Sequence, residues 1–178
     1  MRICTEFAEG ERADLVRRGV RVTIVGVIDD VPTRTRRAME RLIDETGGGD
    51  DVDPKSPPRM TLALALNYGG RRDMVNAMRA LAIRARAGMV MPEEIDETSL
   101  RSFLTTSDLP DPDLIIRTGG ERRLSDFLLF EAAYAELFFT ETYWPDFSEA
   151  TLDEALAAYA RRQRRYGRTA GQAALASG

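Results

Sequence analysis

The sequence predicts an α/β protein with a mostly parallel central sheet flanked by helices. Short apolar runs rich in β-branched residues alternate with segments of helical periodicity, and this alternation is typical of parallel strands joined by helices. The run Met60–Leu66 is almost entirely apolar, as expected of a strand that is buried on both faces. The other strands are predicted at Val20–Val25, Leu114–Ile116 and Glu136–Phe139.

Helices are predicted around these strands. The first covers Glu6–Arg18, and the second begins near Pro32, a residue that suits the first turn of a helix. Further helices are predicted after Arg71, around 98–104, over Asp126–Ala132 with Ser125 as the N-cap, and from Ser148 to about Arg165.

We expect a single α/β domain over residues 1–168 and a flexible tail over 169–178. A chain of 178 residues has an ordinary one-domain size. Its last ten residues carry no apolar periodicity that would pack against a core.

The composition excludes several kinds of chemistry. The chain has no histidine and one cysteine, Cys4, which excludes Ser-His-Asp and Cys-His nucleophiles, histidine-ligated metals and an internal disulfide. The net charge of −4 argues against nucleic acid as a partner. No apolar run reaches the length of a transmembrane helix, and the N-terminus has no signal-peptide core, so we expect a cytoplasmic protein.

Arginine dominates the basic residues. Of the 25 lysines and arginines, only Lys55 is a lysine. Genomic base composition explains such a bias without any functional meaning. Arginine is nevertheless the better bidentate ligand for phosphate.

One segment that combines glycine with arginine follows the second predicted strand. This segment, Asn67-Tyr68-Gly69-Gly70-Arg71, precedes a predicted helix. Paired glycines let backbone N–H groups point at an anion, and a helix N-terminus adds positive potential. An ordinary tight turn has the same composition, so an anion site over Asn67, Gly69, Gly70 and Arg71 and a plain turn both stay open.

A second such segment is richer in groups that bind phosphate. Arg117 ends the third strand, Gly119 and Gly120 follow, and Arg123 and Ser125 precede the next predicted helix. A guanidinium, a hydroxyl and N–H groups that converge there suit a diphosphate. The pattern is neither a Walker A nor a dinucleotide-binding motif. The chemistry favours an anion site; the alternative is a solvated turn whose arginines pair with neighbouring carboxylates.

Two other features allow a structural and a functional interpretation. Glu136 is either a surface residue at a strand end or a ligand for Mg²⁺, which takes one or two carboxylates together with substrate phosphates. The basic run 161–165 lies at a predicted helix C-terminus, where cations are favoured by the helix dipole. Residue chemistry alone favours the structural interpretation in both cases.

Several segments, in the order in which they occur along the chain, resemble a known family. Three segments are similar to the C-terminal signature of the cis-prenyltransferases, the undecaprenyl diphosphate synthase-like enzymes: 113–130, 133–139 and Trp144-Pro145-Asp146-Phe147. The segments 67–71 and Arg165-Tyr166-Gly167 fit the same family. The resemblance runs from about Glu6 to Gly167 and implies the α/β fold of these enzymes.

The resemblance also implies an activity. These enzymes add isoprene units from isopentenyl diphosphate to an allylic diphosphate with Mg²⁺. By position, the residues implied to hold the diphosphate of isopentenyl diphosphate are Arg117, Arg123, Leu124 and Ser125. Glu136 is implied to contribute to the Mg²⁺ site. Arg165 and Gly167 fit an Arg-x-Gly motif that reaches across a dimer to the neighbouring diphosphate site.

Two family segments do not occur in this sequence: the Asp-Gly-Asn-x-Arg loop, which supplies a metal-binding aspartate and holds the allylic diphosphate, and Phe-Ser-x-Glu-Asn-Trp. We therefore expect a truncated version of the fold with the isopentenyl half of the site, and little condensation by the chain alone. The reacting residues stay unassigned. Asp126 replaces the usual Asn and is expected to weaken the diphosphate site; Phe130 replaces a common Trp.

The favoured function is thus binding of isopentenyl diphosphate for polyprenyl diphosphate chain elongation. A non-catalytic subunit of a heteromeric cis-prenyltransferase and a generic anion-binding α/β module are the alternatives. The expected partners are isopentenyl diphosphate, an allylic diphosphate, and a second subunit in a homodimer or heterodimer. We also expect transient membrane contact through the lipid product, and no nucleic acid.

Overall fold

The strands form two parallel pairs in the computed structural model, which describes residues 2–47 and 58–162. The four strands are β1 (Val20–Gly26), β2 (Met60–Leu66), β3 (Leu114–Arg117) and β4 (Glu136–Phe139). β1 pairs with β2 along its whole length, and β3 pairs with β4 so that Leu114 lies beside Glu136 and Arg117 beside Phe139. The positions of the four predicted strands and the parallel α/β class are confirmed. The burial expected of β2 on both faces is wrong, because Met60, Ala63 and Ala65 are exposed and no residue of this strand is buried.

The described residues contain six α-helices: α1 (Arg2–Gly10), α2 (Arg12–Arg17), α3 (Thr33–Glu45), α4 (Gly70–Arg86), α5 (Glu97–Arg101) and α6 (Glu149–Ala160). Three short 3₁₀ helices cover Pro92–Glu94, Glu131–Tyr134 and Trp144–Asp146. The single helix predicted over Glu6–Arg18 is two helices in the structure, because one helix ends at Gly10 and the next begins at Arg12. Glycine is less suited to a helix interior than any residue except proline.

The helix predicted over Asp126–Ala132 is wrong. Ser125, Asp126 and Leu128 have φ angles of +51°, +69° and +47°. A right-handed helix cannot propagate through left-handed residues, so only the 3₁₀ turn at Glu131–Tyr134 forms. Ser125 is therefore not a helix N-cap.

Two helix caps are well formed. Ser148 caps α6 as predicted, with its Oγ accepting the Thr151 N–H at 3.4 Å. Asp96 caps α5, and its Oδ1 accepts the Ser99 N–H at 2.8 Å. The hydrogen bonds from Ser99, first that of its backbone and then that of its side chain, hold the pKa of Asp96 below its usual value.

The described residues fall into two compact units. The first contains the residues up to Pro110 together with Asp126–Phe130, and the second contains Asp111–Ser125 and the residues from Glu131 onward. A single domain over 1–168 stays a prediction, and the tail predicted at 169–178 lies outside the described residues. Among the described residues, no helix has the length and apolar character needed to cross a bilayer.

The core of the first unit joins helices to the β1–β2 pair. Ala8 of α1, Val22 of β1, and Met39 and Leu42 of α3 are almost completely buried and form one cluster. A buried hydrogen bond of 2.9 Å between the hydroxyls of Thr5 and Thr35 also joins α1 to α3. This packing fixes α1 and α3 side by side and leaves the carboxyl ends of β1 and β2 to carry polar groups.

Candidate functional site

The first candidate region lies at the carboxyl ends of β1 and β2, the edge where open α/β sheets bind ligands. A narrow crevice there has no room for a water molecule, and its lining residues are Gly26, Val27, Asn67, Tyr68, Gly69, Arg72, Asp73 and Asn76. We call residues 67–71 the β2–α4 loop.

Gly26 is required where β1 ends. Its φ is +110°, and a Cβ at this position would overlap the backbone oxygen of Leu66 and lie 3.0 Å from the Cβ of Tyr68. Asn67 also has a left-handed φ of +49°, and its Nδ2 lies 3.3 Å from the carbonyl oxygen of Val27 and 3.3 Å from Oδ2 of Asp30. The β2–α4 loop is thus held tightly against the end of β1.

Asp126 occupies the N-terminus of α4. Its backbone oxygen accepts the Gly70 N–H at 2.7 Å, and its Oδ1 accepts the Arg71 N–H at 2.9 Å. The Arg71 Nε lies 3.9 Å from the same carboxylate oxygen, and a Cβ on Gly69 would lie 2.7 Å from Oδ2. The carboxylate takes the place that the sequence offers to a substrate anion. The anion site over Asn67, Gly69, Gly70 and Arg71 stays a prediction.

A buried carboxylate that lines the same crevice was not singled out from the sequence. Asp73, in the first turn of α4, is only 5% exposed. Its Oδ2 accepts hydrogen bonds from the backbone N–H of Thr105 at 3.1 Å and from the Thr105 hydroxyl at 2.9 Å, and that hydroxyl accepts the Gly26 N–H at 3.2 Å. An acidic residue in the first turn of a helix was the available signal, since the helix dipole favours it there.

The second candidate region is the loop that follows β3, residues 117–125, which we call the β3 loop. Arg117 ends β3 and is half-buried; its Nε is buried and has no hydrogen-bond acceptor among the residues that the structure describes. A buried N–H without an acceptor costs about 1–3 kcal/mol, and more when the group is charged. An anion bound beside this guanidinium would remove that cost.

The two glycines of the β3 loop shape a turn. Gly119 and Gly120 have φ angles of +81° and +76°, and their N–H groups donate to the carbonyl oxygens of Thr142 and Thr140, each at 2.9 Å. A Cβ on Gly120 would overlap the carboxylate of Glu141. These N–H groups are therefore used to join the β3 loop to the segment after β4, and the side chains are left to bind a ligand.

The remaining residues predicted for this site are placed as follows. Arg123 forms an ion pair with Glu121 within the loop. Leu124 is half-buried, and Ser125 is exposed at its left-handed position. Arg165 and Gly167 lie outside the described residues. Arg117, Arg123, Leu124 and Ser125 thus share one loop, but the helix N-terminus expected beside Ser125 is missing.

The structure does not bring Glu136 to Arg117. Their strands run parallel with Leu114 beside Glu136, so the two residues lie three positions apart along the strands, about 10 Å at the usual rise. Alternation also directs them to opposite faces of the β3–β4 pair.

Glu136 alone does not complete a metal site. Its side chain is 32% exposed, and its Oε2 lies 3.3 Å from the Nε of Arg162. Over residues 2–47 and 58–162, no group of three histidine, cysteine, aspartate or glutamate side chains could hold a metal ion. Any Mg²⁺ at Glu136 would need further oxygens, for which substrate phosphates are suited.

Comparison with known proteins covers nearly the whole chain. The family described as putative undecaprenyl diphosphate synthase matches residues 1–167. The chain is 42% identical to an isoprenyl transferase of Geobacillus kaustophilus over 94% of its length and 62% of that protein. It is 36% identical to the (2E,6E)-farnesyl-diphosphate specific ditrans,polycis-undecaprenyl-diphosphate synthase of Micrococcus luteus, over 94% of the chain and 64% of that enzyme. The chain thus spans a little over three fifths of these relatives.

Solved structures show the same fold. Lavandulyl diphosphate synthase from Lavandula x intermedia, in complex with dimethylallyl diphosphate, matches with a TM-score of 0.84 and 32% identity over 93% of this chain and 69% of that one. A probable undecaprenyl diphosphate synthase from Campylobacter jejuni matches with a TM-score of 0.71 and 25% identity over 94% and 70%. Together with the family match, these likenesses show that the chain belongs to the undecaprenyl diphosphate synthase family of cis-prenyltransferases.

Proposed function

We propose that this chain is a prenyltransferase polypeptide that binds isopentenyl diphosphate at the β3 loop for polyprenyl diphosphate chain elongation. The observation that carries the proposal is Arg117, whose buried Nε lacks an acceptor among the described residues at the carboxyl end of a parallel strand. Membership of a family of prenyl diphosphate synthases supports a diphosphate as the missing acceptor.

The second substrate in this proposal is an allylic diphosphate. The name of the Micrococcus luteus relative specifies farnesyl diphosphate, and the lavender structure holds dimethylallyl diphosphate. Both compounds are allylic diphosphates. In the proposed reaction, the bond between the allylic carbon and its diphosphate breaks, the double bond of isopentenyl diphosphate attacks that carbon, and a proton leaves.

The β3 loop binds and orients isopentenyl diphosphate. Arg117 donates to the diphosphate from a partly buried position, where a charged hydrogen bond is strong. Arg123 joins it by exchanging Glu121 for a diphosphate oxygen, while Leu124 and the Ser125 hydroxyl line the same loop. The neighbouring copy of a dimer would contribute Arg165 and Gly167, as the family motif implies.

Mg²⁺ is the proposed cofactor, with Glu136 as one of its ligands. When bound, Mg²⁺ would neutralise charge on the allylic diphosphate, which would make that diphosphate a better leaving group. The carboxylate of Glu136 becomes available once it separates from Arg162, and this exposed ion pair is of the weak kind.

A dimer is the proposed assembly. The second unit exposes three aromatic side chains, with Tyr134 84%, Tyr143 68% and Trp144 74% accessible. Exposed aromatic groups of this size are typical of protein interfaces.

The names of the relatives favour a transferase over a non-catalytic subunit. Membership of the family does not agree with a generic anion-binding module.

Titration calorimetry with isopentenyl diphosphate tests the proposal. Arg117→Ala is expected to weaken binding about 30-fold or more, which corresponds to the loss of about 2 kcal/mol of charged hydrogen bonding. Arg79→Ala, on the exposed face of α4, is the matched control and should bind like the wild type. Equal affinities for all three proteins, at unchanged thermal unfolding, would contradict the assignment. Binding is measured without turnover, so the result does not depend on the activity of the isolated chain.

A further inference from the structure

A basic groove in the first unit is separate from both candidate loops. It has a volume of about 400 Å³ and runs between α3 and the corner where α1 meets α2. Its lining residues are Ala8, Glu9, Arg12, Thr33, Arg34, Arg37, Ala38 and Arg41. Four arginines thus face one glutamate, in a chain whose net charge is −4.

The arginines on α3 share one face of the helix. Arg34, Arg37 and Arg41 are spaced three and four residues apart, so they are surface neighbours along the helix. Like charges at this spacing repel and destabilise the helix by a few tenths of a kcal/mol per pair, roughly 0.2–0.5. An anion between them would reverse the sign of this interaction.

The carboxylates of the protein compensate only part of this charge. Arg12 lies 3.1 Å from Glu45, and Arg34 lies 3.9 Å from Glu9. Within the part of the chain that the structure describes, neither Arg37 nor Arg41 forms an ion pair.

Another arginine of α3, Arg36, does form ion pairs. It lies 3.7 Å from Glu40 and 3.9 Å from Asp29. A genomic preference for arginine explains the choice of arginine over lysine, but it does not explain why Arg36 forms ion pairs while Arg37 and Arg41 form none with the described residues.

The N-terminus of α3 adds to the positive potential at one end of the groove. Pro32 at the N-cap offers no side-chain acceptor, and the first turn contains no acidic residue. The N–H groups at Thr33 and Arg34 are therefore not capped by a side chain, unlike those of α4, where Asp126 accepts. Uncapped N–H groups and the helix dipole favour an anion at this end.

We propose that this groove binds a phosphate-bearing anion of at least two negative charges, held by Arg37, Arg41 and the N-terminal turn of α3. A free diphosphate and the phosphate headgroups of an anionic lipid surface offer this same chemistry. The site is distinct from the β3 loop and does not depend on the function proposed for that loop. Its guanidinium groups are partly exposed, so binding weakens as the salt concentration rises.

The first arm of the test uses inorganic diphosphate and the whole 178-residue chain. Amide NMR shifts on titration should appear at Thr33–Arg41, separately from any shifts in the β3 loop. The double variant Arg37→Ala/Arg41→Ala should lose the α3 shifts and bind at this site at least tenfold more weakly. Arg79→Ala/Arg86→Ala, which removes two exposed arginines from α4, is the control with matched charge and should keep them.

The second arm distinguishes the source of the phosphate. Flotation is measured with phosphatidylcholine vesicles with and without phosphatidylglycerol. Shifts on α3 with diphosphate support a free anion; flotation only with the anionic vesicles, lost in the Arg37→Ala/Arg41→Ala variant, supports a lipid headgroup. The proposal is overturned if diphosphate shifts no α3 amide and the anionic vesicles do not float the protein, or if the double variant keeps both the α3 shifts and the flotation of the wild type. Shift mapping on the wild type gives an answer even where the variant folds poorly.

Discussion

The β2–α4 loop and the β3 loop carry the same kinds of residues and use them differently. Each follows a parallel strand with two adjacent glycines and an arginine. In the β2–α4 loop, the N–H groups that could bind an anion already donate to Asp126, and Arg71 lies beside the same carboxylate. In the β3 loop, the glycine N–H groups donate to Thr140 and Thr142, while the Nε of Arg117 has no acceptor among the described residues.

This difference teaches that paired glycines after a strand do not by themselves predict a phosphate site. In both loops these N–H groups already donate to acceptors within the protein, so neither loop offers its glycine N–H groups to an anion. An internal carboxylate can fill the place of a substrate phosphate, and a helix N-terminus gains from either. The Nε of Arg117 is the more useful sign, because it is a buried donor without a described acceptor at the carboxyl end of a strand, and a ligand would remove that cost. Position matters, since Arg21 within β1 also has a buried Nε without a described acceptor.

The largest expected effect on stability concerns the close packing of Gly26 against the backbone at the start of the β2–α4 loop. Gly26→Ala should lower the free energy of unfolding by about 3 kcal/mol, because a Cβ would overlap the Leu66 carbonyl at a φ of +110°. Gly119→Ala is the matched control in the β3 loop, where the nearest atom is a Tyr143 ring carbon at 3.8 Å. It should cost about 1 kcal/mol for its left-handed φ alone. Equal costs in urea unfolding would show that the two regions are equally tight.

The next effect tests the buried carboxylate beside the same loop. Thr105→Val should cost about 2 kcal/mol, because it removes a hydroxyl donor from Asp73 and the acceptor of the Gly26 N–H. Thr105→Ser keeps the hydroxyl and should lose much less. Thermal and urea unfolding of both variants provide the measurement. A Val variant as stable as the Ser variant would mean that the hydroxyl contributes nothing.

The smallest effect on stability addresses the comparison most directly. Asp126→Gly should cost about 1 kcal/mol, because it removes the carboxylate cap of α4 while keeping a residue suited to a φ of +69°. It should also allow inorganic diphosphate to shift the Arg71 amide in NMR spectra. Asp126→Asn keeps an acceptor, so that shift should stay absent. If diphosphate shifts the Arg71 amide in the wild type, the two loops do not differ as described, because the Asp126 carboxylate would then not exclude an anion from the N-terminus of α4.

Regular elements were predictable because their signals are local. The strands and the helices α3, α4 and α6 follow from runs of apolar residues, from helical spacing and from Ser148 as a cap. A helix was predicted at Asp126–Ala132 because the apolar residues there have helical spacing. The prediction failed because Asp126 is held by hydrogen bonds from Gly70 and Arg71, more than fifty residues earlier in the chain. No local pattern reports a contact of that range.

The residues of the candidate site stay a sequence prediction, and their geometry could not be predicted from the sequence. Arg117, Arg123, Leu124 and Ser125 do share one loop, as their sequence spacing requires. The separation of Glu136 from Arg117 follows from the parallel pairing of β3 with β4 and from the register of that pair. Likewise, the roles of Asp73 and Asp126 depend on partners that lie 32 and 55 positions away.

The return of Asp126–Phe130 to the first unit has a consequence for the order of folding. The first unit is discontinuous in sequence, because the chain makes β3 in the second unit before it supplies these five residues. During synthesis, α1 to α5 can form while the N-terminus of α4 still lacks its cap. The cap closes a long segment of chain, and contacts of long range form late. Substitutions at Asp126 should therefore change the rate of unfolding and leave the rate of folding nearly unchanged.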